Sequence, residues 1–274
     1  MEFKVLNNGV EIPKVGYGVY QTPKRKTAQL VKEAIEVGYR HIDTAQNYAN
    51  EAEVGKAIVG SGISRNDIFV TTKTQTNGYK STSKGIDRSL EEFAFDYFDL
   101  ILIHWPTEDN IGIYRALEDA LNEGKCRAIG LSNFNSKQVS QIIEECDVRP
   151  AVNQIETHIM WQQKRMHKFL SKNDCIHESW SPFSSGSFNM FNDETVLDIA
   201  NNHDKTPAQV ILRFLIQNDI VVIPKSSSKD RMKENLDVFD FDLNRDEIFR
   251  IRNLDKNQSY CNWPYSMQYE AINP

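Results

Sequence analysis

The feature that most limits how this chain can fold is a repeated alternation of short apolar strands with amphipathic helices, carried through most of its 274 residues. The clearest strand, Asp99-Leu100-Ile101-Leu102-Ile103-His104, is apolar along its middle on both faces, as a parallel strand covered by helices must be. Strand-like runs precede it at 15–20, 39–43 and 67–73, and follow it at 126–131, 151–155, 175–178 and 220–223. Helical spacing appears between them: Ala28, Val31, Ala34 and Ile35; Ile86, Leu90 and Phe93; Ile113, Leu117 and Leu121. Eight such units in a chain of this length predict a (β/α)8 TIM barrel. A doubly wound sheet is the rival, but Gly16-Tyr17-Gly18-Val19-Tyr20-Gln21 lacks the third glycine of a dinucleotide-binding turn.

Ahead of the series, two short β-type runs flank Asn8-Gly9, a strong hairpin signal, and predict an N-terminal β-hairpin closing the barrel bottom. Asn50, with Glu53 three residues on, has the spacing of a capping box opening a short helix. No linker or repeat interrupts the pattern, which predicts one domain over 1–274. A net charge of -6 argues against nucleic acid or a membrane surface as partner, because both require a broad basic face. The four cysteines form no CxxC pair, so no metal site or disulfide framework is expected, and a cytoplasmic setting fits. No apolar run of about 20 residues is present to span a bilayer.

In a barrel the chemistry sits at the carboxyl ends of the strands. Asp43, Lys73 and His104 end three successive strands at spacings of 30 and 31 residues, and Tyr48 follows Asp43 in a polar loop. Each has an ordinary structural excuse, as a cap, a packed ring, a solvated amine or a core histidine; together at one rim they form a cluster. A phenol has a reference pKa of about 10, which a nearby ammonium lowers. Lys73 can supply that ammonium, with Asp43 as its counter-ion, and a neutral His104 can orient a substrate oxygen. This equipment suits moving a proton to or from a carbonyl oxygen, and it needs an external source of electrons.

The chain resembles the aldo-keto reductases, most closely the short microbial branch that includes 2,5-diketo-D-gluconate reductases. The resemblance is carried by Gly38-Tyr39-Arg40-His41-Ile42-Asp43-Thr44-Ala45, Leu102-Ile103-His104-Trp105-Pro106, Gly130-Leu131-Ser132-Asn133-Phe134, Asn153-Gln154-Ile155-Glu156, Trp180-Ser181-Pro182-Phe183 and Ile223-Pro224-Lys225-Ser226. It implies NADPH-dependent reduction of aldehydes or ketones, with Tyr48 as general acid, Lys73 and Asp43 tuning it, and His104 orienting the carbonyl. It also implies that Ser132, Asn133 and Gln154 hold the nicotinamide carboxamide and that Trp180 stacks on the ring. Ser181, Phe183 and Ser185 would line the cofactor, Ser185 meeting its pyrophosphate. A small carbonyl compound is the implied partner, and a monomer the usual state.

The adenine end shows in the sequence too. Between Lys225 and Lys233 stand four basic residues against one acid, and Ser226-Ser227-Ser228 precede a helix start. Free backbone N–H groups there favour an anion. With the resemblance, this points to a 2'-phosphate held by Lys225, Ser226 and Arg231, with Glu234 and Asn235 near adenine. The chain departs from the family at Tyr20 and at Thr74-Gln75-Thr76, so Tyr20, Gln75 and Trp105 are expected to set a more polar substrate pocket. The aromatic Cys261-Asn262-Trp263-Pro264-Tyr265 is expected to close over that pocket as a flap. The alternative is a catalytically weak NADP(H)-binding sensor or scaffold on the same barrel.

Overall fold

The computed structural model describes residues 1–261. Strands β1 (Phe3–Val5) and β2 (Glu11–Pro13) pair antiparallel around Asn8-Gly9. Eight parallel strands follow: β3 (Tyr17–Gly18), β4 (His41–Asp43), β5 (Phe69–Thr74), β6 (Phe98–Ile103), β7 (Cys126–Ser132), β8 (Val152–Glu156), β9 (Ile176–Trp180) and β10 (Val221–Val222). They stand side by side in sequence order. A parallel bridge between Val15 and Val222 closes the sheet on itself, with the Gly16 amide donating to the Val222 carbonyl at 2.8 Å. The (β/α)8 barrel is therefore present, although regular pairing covers only two residues in each of its first and last strands.

Helices α1 (Lys24–Val37), α2 (Glu51–Ser61), α3 (Tyr79–Phe93), α4 (Asn110–Asn122), α5 (Ser136–Glu145) and α6 (Lys164–Lys172) each follow one strand. The crossover from β9 to β10 carries two, α7 (Glu194–Asn202) and α8 (Pro207–Gln217); α9 (Lys229–Leu236) follows β10, and α10 (Arg245–Arg252) comes after. Three of these helices, α5, α8 and α10, open with full capping boxes. The box expected at Asn50 and Glu53 does not form. Asn50 instead accepts from the Thr44 hydroxyl at 2.6 Å and donates to the Val19 carbonyl at 3.3 Å, so its side chain holds the loop after β4.

The core is layered as the period of two in a strand requires. One cluster lies between sheet and helices. A second fills the barrel: Phe69, Leu100, Leu102, Ala128, Val152, Ile176 and Val221 meet Leu6 and Ile12 of the hairpin. The same inward-facing rows continue upward into polar residues: Lys73 two beyond Thr71, His104 two beyond Leu102, Gln154 two beyond Val152, Glu178 two beyond Ile176. Gly16 leaves space for another buried polar side chain, since a Cβ there would sit 2.6 Å from Nδ1 of His41. The aromatic flap expected from Cys261 onward falls, beyond Cys261 itself, outside the described residues.

Candidate active site

Asp43, Lys73, His104 and Tyr48 meet at the carboxyl end of the barrel. Nζ of Lys73 donates to Oδ1 of Asp43 at 2.6 Å and to the Thr44 carbonyl at 3.0 Å. Both partners are almost sealed from solvent, Lys73 at 1% and Asp43 at 2% exposure. Tyr48 ends a 3-10 turn over Gln46–Tyr48, and the ammonium of Lys73 lies 5.2 Å from its ring centroid. His104 stands one residue past β6, edge-on to Tyr48 at 5.6 Å and stacked on Trp105 at 6.0 Å.

Electrostatics separates these groups into distinct protonation states. Burial alone would strip the proton from Lys73, but Asp43, with smaller help from Tyr48, more than reverses that and raises its pKa above the usual lysine value. Burial pushes the Tyr48 phenol up to about 12, against the opposing pull of Lys73. The expectation that Lys73 lowers this pKa is thus right in sign for Lys73 and wrong for the net value, because burial is the larger effect. Tyr48 is a neutral phenol at pH 7. Burial, then the charge of Lys73, lowers His104 to about 3 and leaves its imidazole neutral.

From this cluster a cleft of about 1020 Å³ runs across the mouth, lined in turn by Tyr48, His104, Gln154, Trp180, Ser185 and Arg231. It also takes in Tyr20, Trp105, Ser132, Asn133, Ser181, Phe183, Lys225, Ser226, Glu234 and Asn235, so it gathers every cofactor residue expected from sequence. Of the three residues expected in the substrate pocket, Gln75 lies elsewhere: it is exposed and lines a separate smaller depression with Lys84 and Arg88. Its backbone N–H is held by Oε1 of Gln46 at 2.7 Å, which turns the chain away from the mouth after Thr74.

The middle of the cleft is tied together. Asn133, with φ of 65°, accepts from the Trp180 indole at 2.9 Å and donates to the His104 carbonyl at 3.0 Å, linking the ends of three strands. Ser132 donates to the Gln154 carbonyl at 2.9 Å. In the loop after β9, Ser181, Ser184, Ser185 and Gly186 all have positive φ, a strained run of the kind that turns backbone amides toward a ligand.

At the far end the donor set suits a phosphate. Among the described residues neither Lys225 nor Arg231 pairs with a carboxylate, whereas Lys229 is bound to Glu36 of α1 at 2.7 Å. Lys229 is thereby removed from the basic cluster. Glu234 accepts from Thr206 at 2.6 Å.

Sequence reasoning missed the segment before the chain's last described residue. Ser259 donates to Oε2 of buried Glu156 at 2.6 Å, and the Tyr260 amide donates to Oε1 at 2.9 Å. The Tyr260 hydroxyl accepts from Ser181 at 3.2 Å and Ser185 at 3.0 Å. No local pattern signals this contact between positions 103 and 104 residues apart.

A closed parallel barrel whose mouth holds a paired lysine, a neutral phenol and a neutral imidazole, beside a long cleft ending in cations that meet no carboxylate among the described residues, has the equipment of a nucleotide-dependent oxidoreductase. The chain belongs to the Aldo/keto reductase family, which it matches over residues 14–256. It is 40% identical to glyoxal reductase of Bacillus subtilis over 92% of both chains. It is similar to the crystal structure of an aldo-keto reductase from a Medee basin deep-sea metagenome library, at 40% identity and TM-score 0.92, covering 96% of this chain and 100% of that one. It also resembles the Bombyx mori aldo-keto reductase solved in complex with NADP, at 31% identity and TM-score 0.88 over 94% of each chain. The chain is accordingly an NADP-dependent oxidoreductase of carbonyl groups.

Proposed function

We propose that this enzyme reduces small aldehydes and dicarbonyls to alcohols, with Tyr48 as proton donor. The observation that carries the assignment is the Asp43–Lys73–Tyr48–His104 constellation at the floor of the cleft, in which Tyr48 alone combines a proton held at neutral pH with a place on the cleft wall. NADPH, when bound, supplies hydride to the carbonyl carbon. The neutral imidazole of His104 donates a hydrogen bond to the carbonyl oxygen and sets its angle to the Tyr48 hydroxyl. As that oxygen gains negative charge, the Tyr48 proton passes to it. Lys73, kept charged by Asp43, stabilises the resulting phenolate.

Residues of the cleft divide the cofactor among them: Ser132, Asn133 and Gln154 at the carboxamide, Trp180 against the ring, Ser181 and Phe183 lining its path and Ser185 at the pyrophosphate. Lys225, Ser226 and Arg231 hold the 2'-phosphate, and Glu234 and Asn235 lie at adenine. The preference for small dicarbonyls is supported by the glyoxal reductase of B. subtilis and the methylglyoxal reductase of Escherichia coli, 36% identical to this chain. Tyr20 and Trp105 form the substrate wall, with Tyr20 exposed and its ring 5.0 Å from that of Tyr48. The barrel acts as a single domain and a monomer, in a reducing cytoplasm that suits its four free cysteines. Among the described residues no helix is long and apolar enough to cross a membrane.

The test is loss of NADPH absorbance with glyoxal, methylglyoxal, simple aldehydes and keto sugars, repeated with Tyr48→Phe. The variant retains NADPH binding and loses about 100-fold or more in turnover, the scale of general acid catalysis. A variant that keeps most of its turnover refutes the donor, and NADPH binding without turnover in the unaltered protein favours the sensor alternative.

A further inference from the structure

The barrel interior contains a second carboxylate that the chemistry above leaves unused. Glu178 lies mid-strand in β9, fully buried and in register with Gln154 of β8. Its Oε2 accepts from Nε2 of Gln154 at 2.8 Å, and the same nitrogen donates to Oδ2 of Asp43 at 2.8 Å. A primary amide nitrogen carries two hydrogens. Both are spent on carboxyl groups, one from each side of the barrel. The reversed amide would set its oxygen against two acceptors and leave its donors without those partners.

We infer that Glu178 is a positioning residue for the cofactor site: together with Asp43 it locks the Gln154 amide, so that the amide oxygen is presented to the N–H2 of the nicotinamide carboxamide. The inference rests on the reading of Gln154 as a cofactor contact. Asp43 cannot do this alone, because a single acceptor leaves the amide free to turn about that one bond.

The surrounding charges fit an acceptor that does not compete for Lys73. From β4, Glu178 faces His41, whose Nε2 is 3.8 Å from Oε1, and Asp43 through the Gln154 bridge; from β5 it faces Lys73, already bound to Asp43; its β10 neighbour Val221 is apolar. Burial lowers His41 to about 3, so it offers no cation. Burial first, and the charge of Asp43 second, push Glu178 up to about 8. Protonated on its other oxygen, Glu178 still accepts from Gln154 without adding a second negative charge to the barrel.

The test measures NADPH dissociation constants by quenching of tryptophan fluorescence, which requires no turnover. Glu178→Met removes the acceptor and weakens NADPH binding about tenfold, a change of about 1.4 kcal/mol, raising KM for NADPH more than it lowers kcat. Glu178→Gln, which keeps an acceptor oxygen in the same place, recovers most of that affinity. Glu178→Asp, withdrawn by one methylene, does not, and it serves in place of the methionine variant if that fails to fold. In a Gln154→Leu background the Glu178 substitutions add nothing further. Wild-type affinity in Glu178→Met, equal losses in the Gln and Asp variants, or additive losses in the double variants overturn the inference. Unchanged NADPH affinity in Gln154→Leu by itself instead overturns the reading beneath it.

Discussion

Replacing Asp43 with asparagine tests the electrostatic centre of the site most directly. The change preserves shape and removes one charge from a pair with 1% and 3% side-chain exposure, whose atoms are 2.6 Å apart. Breaking a buried pair by removing one partner costs about 3–5 kcal/mol, because the other charge stays buried without compensation. The asparagine amide also turns a donor toward Nε2 of Gln154, where Asp43 offered an acceptor. The sign of the pH dependence separates this account from simple loss of packing. In the native protein the Lys73 pKa is raised, so its contribution is complete below the unfolded value of about 10.4 and is lost only as pH rises through the still higher folded value. In the variant, burial acts unopposed by Asp43, and the folded-state pKa falls below the unfolded one. Between those two values the unfolded chain binds the extra proton, so stability rises with pH. Urea unfolding from pH 8.5 to 9.5 is the assay. The variant's stability should climb relative to wild type, by up to about 1.4 kcal/mol per pH unit. Parallel curves, or a loss below about 1 kcal/mol, refute the view that Asp43 holds the charge on Lys73.

Three further outcomes follow from the geometry. Arg231→Leu should weaken NADPH binding by about 1–3 kcal/mol and leave NADH nearly unchanged, as isothermal titration with each cofactor would register; equal losses would move the 2'-phosphate elsewhere. Gly55→Ala sets a Cβ 2.0 Å from the Phe93 carbonyl oxygen where α2 crosses the end of α3, and should destabilise the protein by about 1–3 kcal/mol in urea melts. Glu156→Ala removes the acceptor for Ser259 and the Tyr260 amide and the partner of buried His158, and should speed limited proteolysis at 255–261 while destabilising the barrel by about 1–3 kcal/mol in urea melts.

Much of the barrel could be read from sequence because its strands are apolar on both faces where helices cover them, as Leu100 to Ile103 show. The proposed cluster of Asp43, Lys73 and His104 was legible because strand-end residues recur once per βα unit. What escaped had no such period. The strand at 175–178 was read, but not the partners of Glu178: nothing local signals a bond from a buried mid-strand carboxylate to Gln154 of the neighbouring strand. Asn50 carries a capping signature that tertiary contacts with Thr44 and Val19 override. Gln75 follows Lys73 by two and suggests the same inward direction, but β5 ends at Thr74 and the alternation ends with it. The Glu156 clasp joins residues too far apart in sequence for any local rule.

Stability and chemistry divide along the barrel axis. At the bottom, Leu6 and Ile12 of the hairpin complete an apolar plug with Phe69, Leu100 and Val152, and that filling depends on no charge. At the top, the same inward rows carry Asp43, Lys73, Gln154 and Glu178, whose desolvation is unfavourable unless every donor meets an acceptor. The two regions share strands and meet at His41, which packs edge-on against Phe69 at 5.0 Å and faces Glu178. Substitutions in the lower layer should therefore lower stability with little effect on the protonation of Tyr48. Substitutions in the upper layer should alter cofactor affinity and turnover through charge and hydrogen bonding, even where they conserve volume.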